Sequence, residues 1–357
     1  MCNKEGQVVE THFNQNFYSE LFTQARPGKV FRFSILSLLL AAIMTFMSFE
    51  ALAGSAYPPL CTEINPEAPD SEYDGYYIIE DKDGKACAIS DDYSVIDIAM
   101  ILALDDPKEE YACPDYTLYI NGANNSIHEQ FVKLKMITAK TGCSAIGVHA
   151  SVSMVLPLEP GESIHDESFI HFQDDMNIFN SILTEESKAD NTVIEAIEDI
   201  RETDSFESRS NSSIRLMGFS YGAIVIENAT KRVEANVLKR TWSFRKMLRY
   251  MKGITVETGG AASDSCVTGI KCIQYINMLD PVAVLLGPGK FFPKPNEVFA
   301  TFSASEDYSI EGVDALVLSH EFLSVHGFRV YLNHWQPFET IWGLGDVSFG
   351  SRIVFIE

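Results

Sequence analysis

A serine between two glycines, in the pentapeptide Gly218-Phe219-Ser220-Tyr221-Gly222, is the residue whose type and spacing most directly indicate chemistry. The short apolar segment SIRLM precedes the serine, and YGAIVIENATKRVEANVL, with helical spacing, follows it. A tight turn from strand to helix lifts such a serine out of a sheet, and glycine fits beside it because it has no side chain to collide across the turn. The pattern predicts that Ser220 is a nucleophile, and the alternative is a serine that caps a helix near a packed turn.

A nucleophilic serine needs a base, a carboxylate that orients the base, and donors for an oxyanion. Asp280 is the predicted carboxylate, because it ends the strand-like segment YINMLD and Pro281 stops the strand after it. Active residues of open α/β sheets collect at this carboxyl edge. The alternative for Asp280 is the first residue of an Asx turn. Three weaker candidates do not directly end a clear strand: Asp264, Asp307 and Asp314.

The base is expected after Asp280, where three histidines lie: His320, His326 and His334. His326 is followed by a glycine and opens the segment HGFRVYLNHW, so we expect it on a loop at the start of a helix, within reach of Ser220. His334 falls inside that predicted helix beside a tryptophan and could be simply packed. His326 is therefore the predicted base, with His334 and then His320 as the alternatives.

Backbone amides are the expected oxyanion donors. The residue after the nucleophile, Tyr221, should supply one of them. The loop LYINGANNS should supply the other, from Ala123 or Gly122, whose amides are unhindered. Three side chains are expected to hold the shape of this loop: Asn121, Asn124 and Asn125. An ordinary Asn-Gly turn is the alternative interpretation.

Alternating strand-like and helix-like segments are expected to position these residues. This alternation predicts an α/β fold, with a mainly parallel central sheet and helices on both faces. The strand-like segments are YYIIE, TLYING, SAIGVHAS, IRLMG, GITVETGGAA, CIQYINMLDPVA, EVFATFSAS and VSFGSRIVFIE. The helix-like segments are SVIDIAMILAL, IHEQFVKLKMITAKTG, NTVIEAIEDIRE with Asn191 as its cap, the segment from Ser220 to about Lys239, and the second half of HEFLSVHGFRVYLNHW. Residues 151–190 and 240–252 are predicted insertions, the first being either a lid or a surface loop.

The order of these motifs resembles the α/β-hydrolase superfamily and, within it, lipase-like serine hydrolases. The resemblance covers most of residues 75–335 and depends on the glycine-flanked serine and on six further residues: Asn277, Asp280, Val282, His326, Tyr331 and Leu332. The chain order serine, aspartate, histidine is also that of the superfamily. One departure is that the loop at Gly122 lacks the His-Gly-Gly run of many esterases.

The resemblance implies a hydrolase with the triad Ser220, Asp280 and His326 that cleaves carboxylic esters, either lipids or smaller molecules, through an acyl-enzyme. The same triad also serves peptidases and thioesterases, and a non-catalytic binding protein that keeps the fold is a third alternative. The sequence contains no CxxC, HExxH or close Cys/His quartet, so no metal or cofactor is expected.

The amino-terminal segment predicts export. Arg26, Lys29 and Arg32 precede the apolar run FSILSLLLAAIMTFMSF, and ALAG follows it, which is typical of a signal peptide cleaved after Ala53. Residues 1–53 are thus the predicted targeting segment, and 54–357 form the predicted hydrolase domain. The protein is expected in the periplasm or outside the cell. The alternative is a membrane anchor in which residues 33–49 stay uncleaved.

Six cysteines follow the predicted cleavage site, an even number that suggests disulfides in an exported chain. Cys266 and Cys272 flank a short glycine-containing turn. Cys113 and Cys143 each precede a predicted strand, so their sulfurs meet if the two strands are parallel neighbours. Elimination leaves the pair Cys61 and Cys87, and buried free thiols are the alternative.

The net charge of -23 argues against nucleic acid as a partner and disfavours purely electrostatic docking on anionic lipid. The sequence leaves the oligomeric state open.

Overall fold

The computed structural model describes twelve segments of the compact unit that runs from Leu60 to Glu357. These are residues 61–65, 69–81, 83–102, 113–123, 125–152, 187–204, 212–261, 266–280, 282–286, 293–305, 325–347 and 352–356. The predicted targeting segment 1–53 lies outside them, as does nearly all of the predicted lid.

A ten-stranded sheet forms the centre of this unit, in the order β1-β3-β2-β5-β4-β6-β7-β8-β9-β10. The strands are β1 (Thr62–Glu63), β2 (Tyr77–Glu80), β3 (Ala86–Ile89), β4 (Tyr116–Ile120), β5 (Ile146–Val148), β6 (Ile214–Phe219), β7 (Ile254–Gly259), β8 (Lys271–Asn277), β9 (Glu297–Phe302) and β10 (Ile353–Phe355). The seven strands from β5 to the β10 edge of the sheet are all parallel to one another. At the other edge the pairs β1–β3, β3–β2 and β2–β5 are antiparallel. The mainly parallel α/β sheet expected from the sequence is therefore confirmed.

Helices cover both faces of the sheet. They are α1 (Val95–Leu102), α2 (Ile127–Thr141), α3 (Lys188–Thr203), α4 (Tyr221–Thr241), α5 (Phe244–Met251), α6 (Phe328–Asn333) and α7 (Phe338–Val347), with a 3₁₀ turn at Asp70–Tyr73 and a π-helical turn at Val282–Leu286. Alternate residues of a strand point to opposite faces. Accordingly, Leu118 and Ile120 pack with α1, α3, α4 and α5, whereas Tyr119 packs with α2, α6 and α7.

Serine capping boxes begin two of the helices. The Ser126 hydroxyl accepts from the Glu129 amide, and the Glu129 carboxylate accepts from the Ser126 amide, which fixes the start of α2 directly after the loop of Gly122. Ser187 and Asp190 form the same arrangement at α3. The prediction that Asn191 caps this helix is wrong, because the capping box starts α3 at Lys188. The last residues of the predicted insertion 151–190 are thus the first turn of a core helix.

The second predicted insertion is also largely helical. Residues 240–252 contain the end of α4 and all of α5, which buries Met247 and Met251 before the chain enters β7. Three further elements were not predicted from the sequence: β1, β3 and α7. The strands β1 and β3 are short and β3 carries the Cys-Ala pair of KACAI, so neither shows the alternation of apolar and polar residues from which a half-buried strand is read.

Three disulfides connect the pairs that the sequence predicts: Cys61–Cys87, Cys113–Cys143 and Cys266–Cys272. The second pair follows from the parallel register of β4 and β5, in which Leu118 lies opposite Ile146, so that the preceding cysteines start at the same edge. Disulfides persist in oxidising compartments, which indicates that the protein is exported. Among the described segments, we find no helix with the length and apolar character needed to span a bilayer.

Candidate active site

The carboxyl ends of neighbouring parallel strands bring the candidate residues to one edge of the sheet. Strand β4 ends before Asn121, β6 ends before Ser220, and β8 ends three residues before Asp280. Strand β7 lies between β6 and β8 and ends at Gly259, next to Gly260. Residues that are distant along the chain therefore meet at this edge, as expected for an open α/β sheet.

The turn at Ser220 has the strained backbone that its sequence predicts. Ser220 has φ 52° and ψ -117°, a conformation that residues with a side chain rarely adopt. The Ser220 hydroxyl forms no hydrogen bond that caps α4, so the helix-cap alternative does not describe this residue. A Cβ atom on Gly222 would lie 2.3 Å from the Ile120 carbonyl oxygen, and one on Gly218 would lie 2.9 Å from the Ala223 nitrogen. Neither position has room for a side chain, so both residues have to be glycine.

The hydroxyl, an imidazole and a carboxylate form one continuous hydrogen-bonded row. The Ser220 Oγ lies 3.1 Å from His326 Nε2, and His326 Nδ1 lies 2.7 Å from Asp280 Oδ2. An ionised carboxylate can only accept, so Nδ1 carries the proton and Nε2 is left as the acceptor for the serine hydroxyl. Asp280 is fully buried and His326 is 7% exposed, whereas Ser220 is partly accessible. This row can transfer a proton from the accessible hydroxyl to the imidazole.

Each oxygen of Asp280 has its partners within the fold. Its Oδ1 accepts from the Val282 amide at 2.9 Å, which is the predicted Asx turn, while Oδ2 accepts from both His326 and the Tyr331 hydroxyl. Asp280 is thus both the first residue of an Asx turn and the hydrogen-bond partner of His326, because each contact uses a different oxygen. Burial and the neighbouring Asp280 carboxylate raise the pKa of Tyr331, so its hydroxyl stays protonated and donates.

Asn277 connects the segment of the carboxylate to the segment of the imidazole. Its amide donates to the carbonyl oxygens of Val325 at 2.9 Å and Ala304 at 2.7 Å, and its Oδ1 accepts from the Leu279 amide at 3.2 Å. Because Val325 directly precedes His326, this buried side chain fixes the distance between the turn of Asp280 and the loop of the imidazole.

The structure separates His334 from this row. Its Nδ1 lies 2.8 Å from the Val330 carbonyl oxygen, and its ring stacks on Phe302 with the two ring centres 4.2 Å apart. These contacts match the packed role that the sequence allowed for His334. The remaining alternatives lie outside the described residues: His320, Asp264, Asp307 and Asp314.

Gly122 lies directly against the turn of the serine, since a Cβ atom on it would be 3.2 Å from the Ser220 Cβ. Asn121 fixes this loop to the end of β5, because its side chain donates to the Ala150 carbonyl at 3.0 Å and accepts from the Ala150 amide at 2.8 Å. The Asn125 side chain donates to the Ala123 carbonyl at 2.7 Å. Two of the three asparagines thus hold the loop as expected, and Asn124 lies outside the described residues.

Tyr221, the other predicted donor, is the first residue of α4 and is buried. It follows the serine directly, so its amide lies at the start of the helix, where backbone N–H groups favour negative charge. Gly122 and Tyr221 therefore both adjoin Ser220, on the loop after β4 and at the start of α4, and Ala123 is the next residue of that loop.

Sequence reasoning did not identify two further residues of the site. Lys133, on α2, donates to Asn125, and its Nζ lies 5.8 Å from the ring centre of Phe219 and 5.6 Å from that of Phe328. Burial lowers the pKa of Lys133 to about 8. Its position in an amphipathic helix resembles that of any surface lysine, so no pattern distinguishes it.

Gly260 is the second such residue. It has φ +57°, and a Cβ atom on it would lie 3.0 Å from His326 Cε1. The imidazole therefore packs directly on the backbone after β7. The segment Thr258-Gly259-Gly260 carries a turn signal, but the sequence alone does not indicate which side chain lies against it.

A scan of the sequence against protein-family models gave no match, and a search of curated proteins gave none either. Across the described residues, no three His, Cys, Asp or Glu side chains are grouped so that they could hold a metal ion.

Proposed function

We propose that this protein is a serine hydrolase of the α/β-hydrolase superfamily that cleaves carboxylic esters through an acyl-enzyme. The observation that carries the proposal is the row Ser220, His326 and Asp280, built on a strained turn at the carboxyl edge of a mainly parallel sheet. Neighbouring groups in this row lie within hydrogen-bonding distance, which a proton transfer requires, and their chain order is the one that the resemblance implies.

In this mechanism, His326 Nε2 takes the hydroxyl proton as Ser220 Oγ attacks the ester carbonyl carbon. The buried Asp280 stabilises the imidazolium that forms and holds its ring orientation. The amides of Tyr221 and Ala123 or Gly122 hold the oxyanion, each contributing on the order of 3 kcal/mol to the barrier reduction. The imidazolium then protonates the leaving alcohol. Water, activated by the same imidazole, hydrolyses the acyl-enzyme and regenerates the serine.

An ester, rather than an amide, is the preferred substrate class because the resemblance is to lipase-like enzymes. The disulfides indicate export, so the proposed substrate is an ester that the protein meets outside the cytoplasm. A lipid or a small ester would serve equally well in the chemistry, which acts only on the acyl carbon.

Substitution of the nucleophile tests the proposal. We expect the wild-type protein to react with a fluorophosphonate probe and to hydrolyse p-nitrophenyl acyl esters, and Ser220→Ala to abolish labelling and lower turnover roughly 10⁴-fold or more. Ser243→Ala, which removes a hydroxyl that caps α5 on a distant element, is the matched control and should retain both activities. Hydrolysis of anilides but not esters would indicate a peptidase. The absence of both labelling and turnover in the wild type would reject the enzyme and favour a binding protein.

A further inference from the structure

A basic and aromatic surface lies at the junction of α4 and α5, and we call it the α4–α5 junction (residues 239–252). Six of the 27 lysines and arginines of the chain fall within these 14 residues, and no Asp or Glu occurs from residue 235 to 256. All six are exposed: Lys239, Arg240, Arg245, Lys246, Arg249 and Lys252. A chain with net charge -23 thus carries one strongly cationic surface segment.

Two large aromatic side chains project from this cationic segment. Trp242 is 90% exposed and Phe244 is 56% exposed, whereas the other two tryptophans of the chain, Trp335 and Trp342, are 6% and 8% exposed. A tryptophan side chain that packs in a core buries roughly 150–250 Å² of its surface. An exposed tryptophan does not contribute this hydrophobic stabilisation to the fold.

The backbone at Trp242 adds a second cost. Trp242 ends α4 in the left-handed conformation, with φ 49° and ψ 30°. Glycine usually takes this position at the end of a helix, because a side chain there is strained. Neither the local backbone nor packing against the described residues therefore favours tryptophan at this position, so its exposed ring is available to a partner.

Helix α5 contributes the rest of this surface through its solvent-facing side. Met247 and Met251 are fully buried against the core, while Phe244, Arg245 and Lys246 face solvent. Among the described residues, Arg245 and Lys246 form no ion pair, so their charges are available to an external anion.

We propose that the α4–α5 junction docks the protein on an anionic lipid surface. Arginine and lysine bind the headgroup phosphates, and the Trp242 and Phe244 rings enter the boundary between headgroups and acyl chains, where tryptophan is most favourable. The net negative charge does not prevent this, because charges farther away than the Debye length of about 8–10 Å are largely screened at physiological salt. Single-stranded RNA could also use the cations and stack its bases on the two rings, but the disulfides indicate that the protein is exported from the compartment in which RNA is abundant.

Docking in this way fixes the direction in which the candidate active site faces. Helix α4 starts directly after Ser220 and runs for 21 residues to the junction, which is about 30 Å at 1.5 Å per residue. The bilayer would therefore lie at the edge of the sheet opposite to Ser220. The proposed hydrolase would face away from its own membrane, and docking should leave the turnover of a soluble ester unchanged.

Tryptophan fluorescence of the full chain tests the docking directly. Trp242 is the one exposed tryptophan of the three in the sequence, and residues 1–59 contain none, so an emission change reports on this surface rather than on the amino-terminal segment. We expect a blue shift with phosphatidylcholine vesicles that contain phosphatidylglycerol, and no shift with phosphatidylcholine alone or at high salt. Each cation near such a surface strengthens partitioning about fivefold, so Arg245→Gln with Lys246→Gln should weaken it about 25-fold.

Matched control variants distinguish binding through this surface from nonspecific binding to vesicles. Lys85→Gln with Lys140→Gln removes two exposed cations elsewhere, and Phe355→Ser removes an aromatic ring that is 83% exposed. Both should leave the vesicle-induced shift unchanged. Three results would overturn the proposal: no shift with anionic vesicles, a shift of equal size in the Arg245/Lys246 variant, or a shift with single-stranded polyuridylate but not with vesicles. None of them depends on whether Ser220 is catalytic.

Discussion

At the scale of single residues, the candidate site combines a strained serine with a carboxylate whose hydrogen bonds are complete. The positive φ of Ser220 costs on the order of 1–3 kcal/mol, which the fit of Gly218 and Gly222 around the turn has to offset. Asp280 is fully buried, yet it accepts three hydrogen bonds that compensate for its lost hydration. The serine and the carboxylate are thus fixed before any substrate binds.

Tyr331 is the partner of Asp280 whose removal is easiest to interpret. Its hydroxyl shares Oδ2 with His326, so Tyr331→Phe leaves the buried carboxylate with one donor fewer and less firmly oriented. We expect this variant to stay folded and to lower kcat for an ester about tenfold, with little change in KM. Tyr275→Phe is the control, because it also removes a buried hydroxyl, which donates to the Gln336 carbonyl at 3.0 Å. Equal losses of kcat in both variants would show that the effect of Tyr331 is only structural.

At the scale of elements, the order of strands and helices explains what the sequence could predict. The turn at Ser220, the strand that leads to Asp280 and the histidine before α6 each carry a local signal, namely glycine spacing, an Asp-Pro end and a His-Gly start. The Cys113–Cys143 disulfide likewise follows from two cysteines that each precede a predicted strand. Such features were predictable because their causes lie within a few residues of sequence.

Features that depend on tertiary contacts were not predictable. Lys133 acquires its position from the packing of α2 near Phe219 and Phe328, and Gly260 acquires its position from the contact of the segment after β7 with His326. Neither residue has a distinctive neighbour in sequence. The start of α3 was misplaced because two residues, Ser187 and Asn191, can both cap a helix. The capping box with Asp190 and the burial of Ala189 decide in favour of the earlier one.

Helix α2 supports the predicted oxyanion loop through Lys133 and Asn125, which gives a prediction at this scale. Lys133→Met removes the donor to Asn125, whose side chain holds the Ala123 carbonyl. We expect kcat for an ester to fall about tenfold while the fold is retained. Lys135→Met is the matched control, since this exposed lysine on the same helix pairs with Glu80 on the surface at 3.0 Å.

The pH dependence of stability distinguishes the half-buried Lys133 from an ordinary surface lysine. Burial lowers its pKa from 10.5 to about 8, so between these values the unfolded chain holds a proton that the folded protein has released. The contribution of Lys133 to the free energy of unfolding should therefore rise with pH in this window, by about 3 kcal/mol. Lys133→Met should remove the rise and Lys135→Met should keep it, as measured by urea denaturation. A rise that survives in Lys133→Met would place its cause elsewhere.

At the scale of the whole molecule, two core clusters on opposite faces of the sheet hold the unit together, and the charge is unevenly distributed over its surface. Acidic residues outnumber basic ones in the chain, yet the end of α4 and the whole of α5 carry basic residues and no acidic ones. The carboxyl edge of the sheet carries the candidate active site, and the cationic junction lies at the other end of α4. This polarity follows directly from the direction of one helix.

The stability of the whole unit should depend on one buried histidine. His149 is fully buried where β5, the start of β2 and α2 meet, and its Nδ1 lies 2.8 Å from Gln130 Oε1. Burial lowers its pKa from 6.5 to about 4. As pH falls through 6.5, the unfolded chain binds a proton that the folded protein excludes until about pH 4. The contribution of His149 to the free energy of unfolding therefore decreases by about 3 kcal/mol between pH 6.5 and 4. Below about pH 4 this contribution does not decrease further.

Replacing this histidine with a side chain that does not titrate isolates its contribution. In His149→Gln, the loss of unfolding free energy between pH 6.5 and 4 should be smaller than in the wild type by about 3 kcal/mol, whatever the stability of the variant at neutral pH. Buried carboxyls such as Asp190 and Glu257, whose pKa burial raises, contribute equally to both proteins and cancel in the comparison. His128→Gln, at an exposed position on α2, is the control. Urea denaturation at a series of pH values measures the difference, and parallel curves for His149→Gln and the wild type would show that this imidazole is not what makes the fold sensitive to acid.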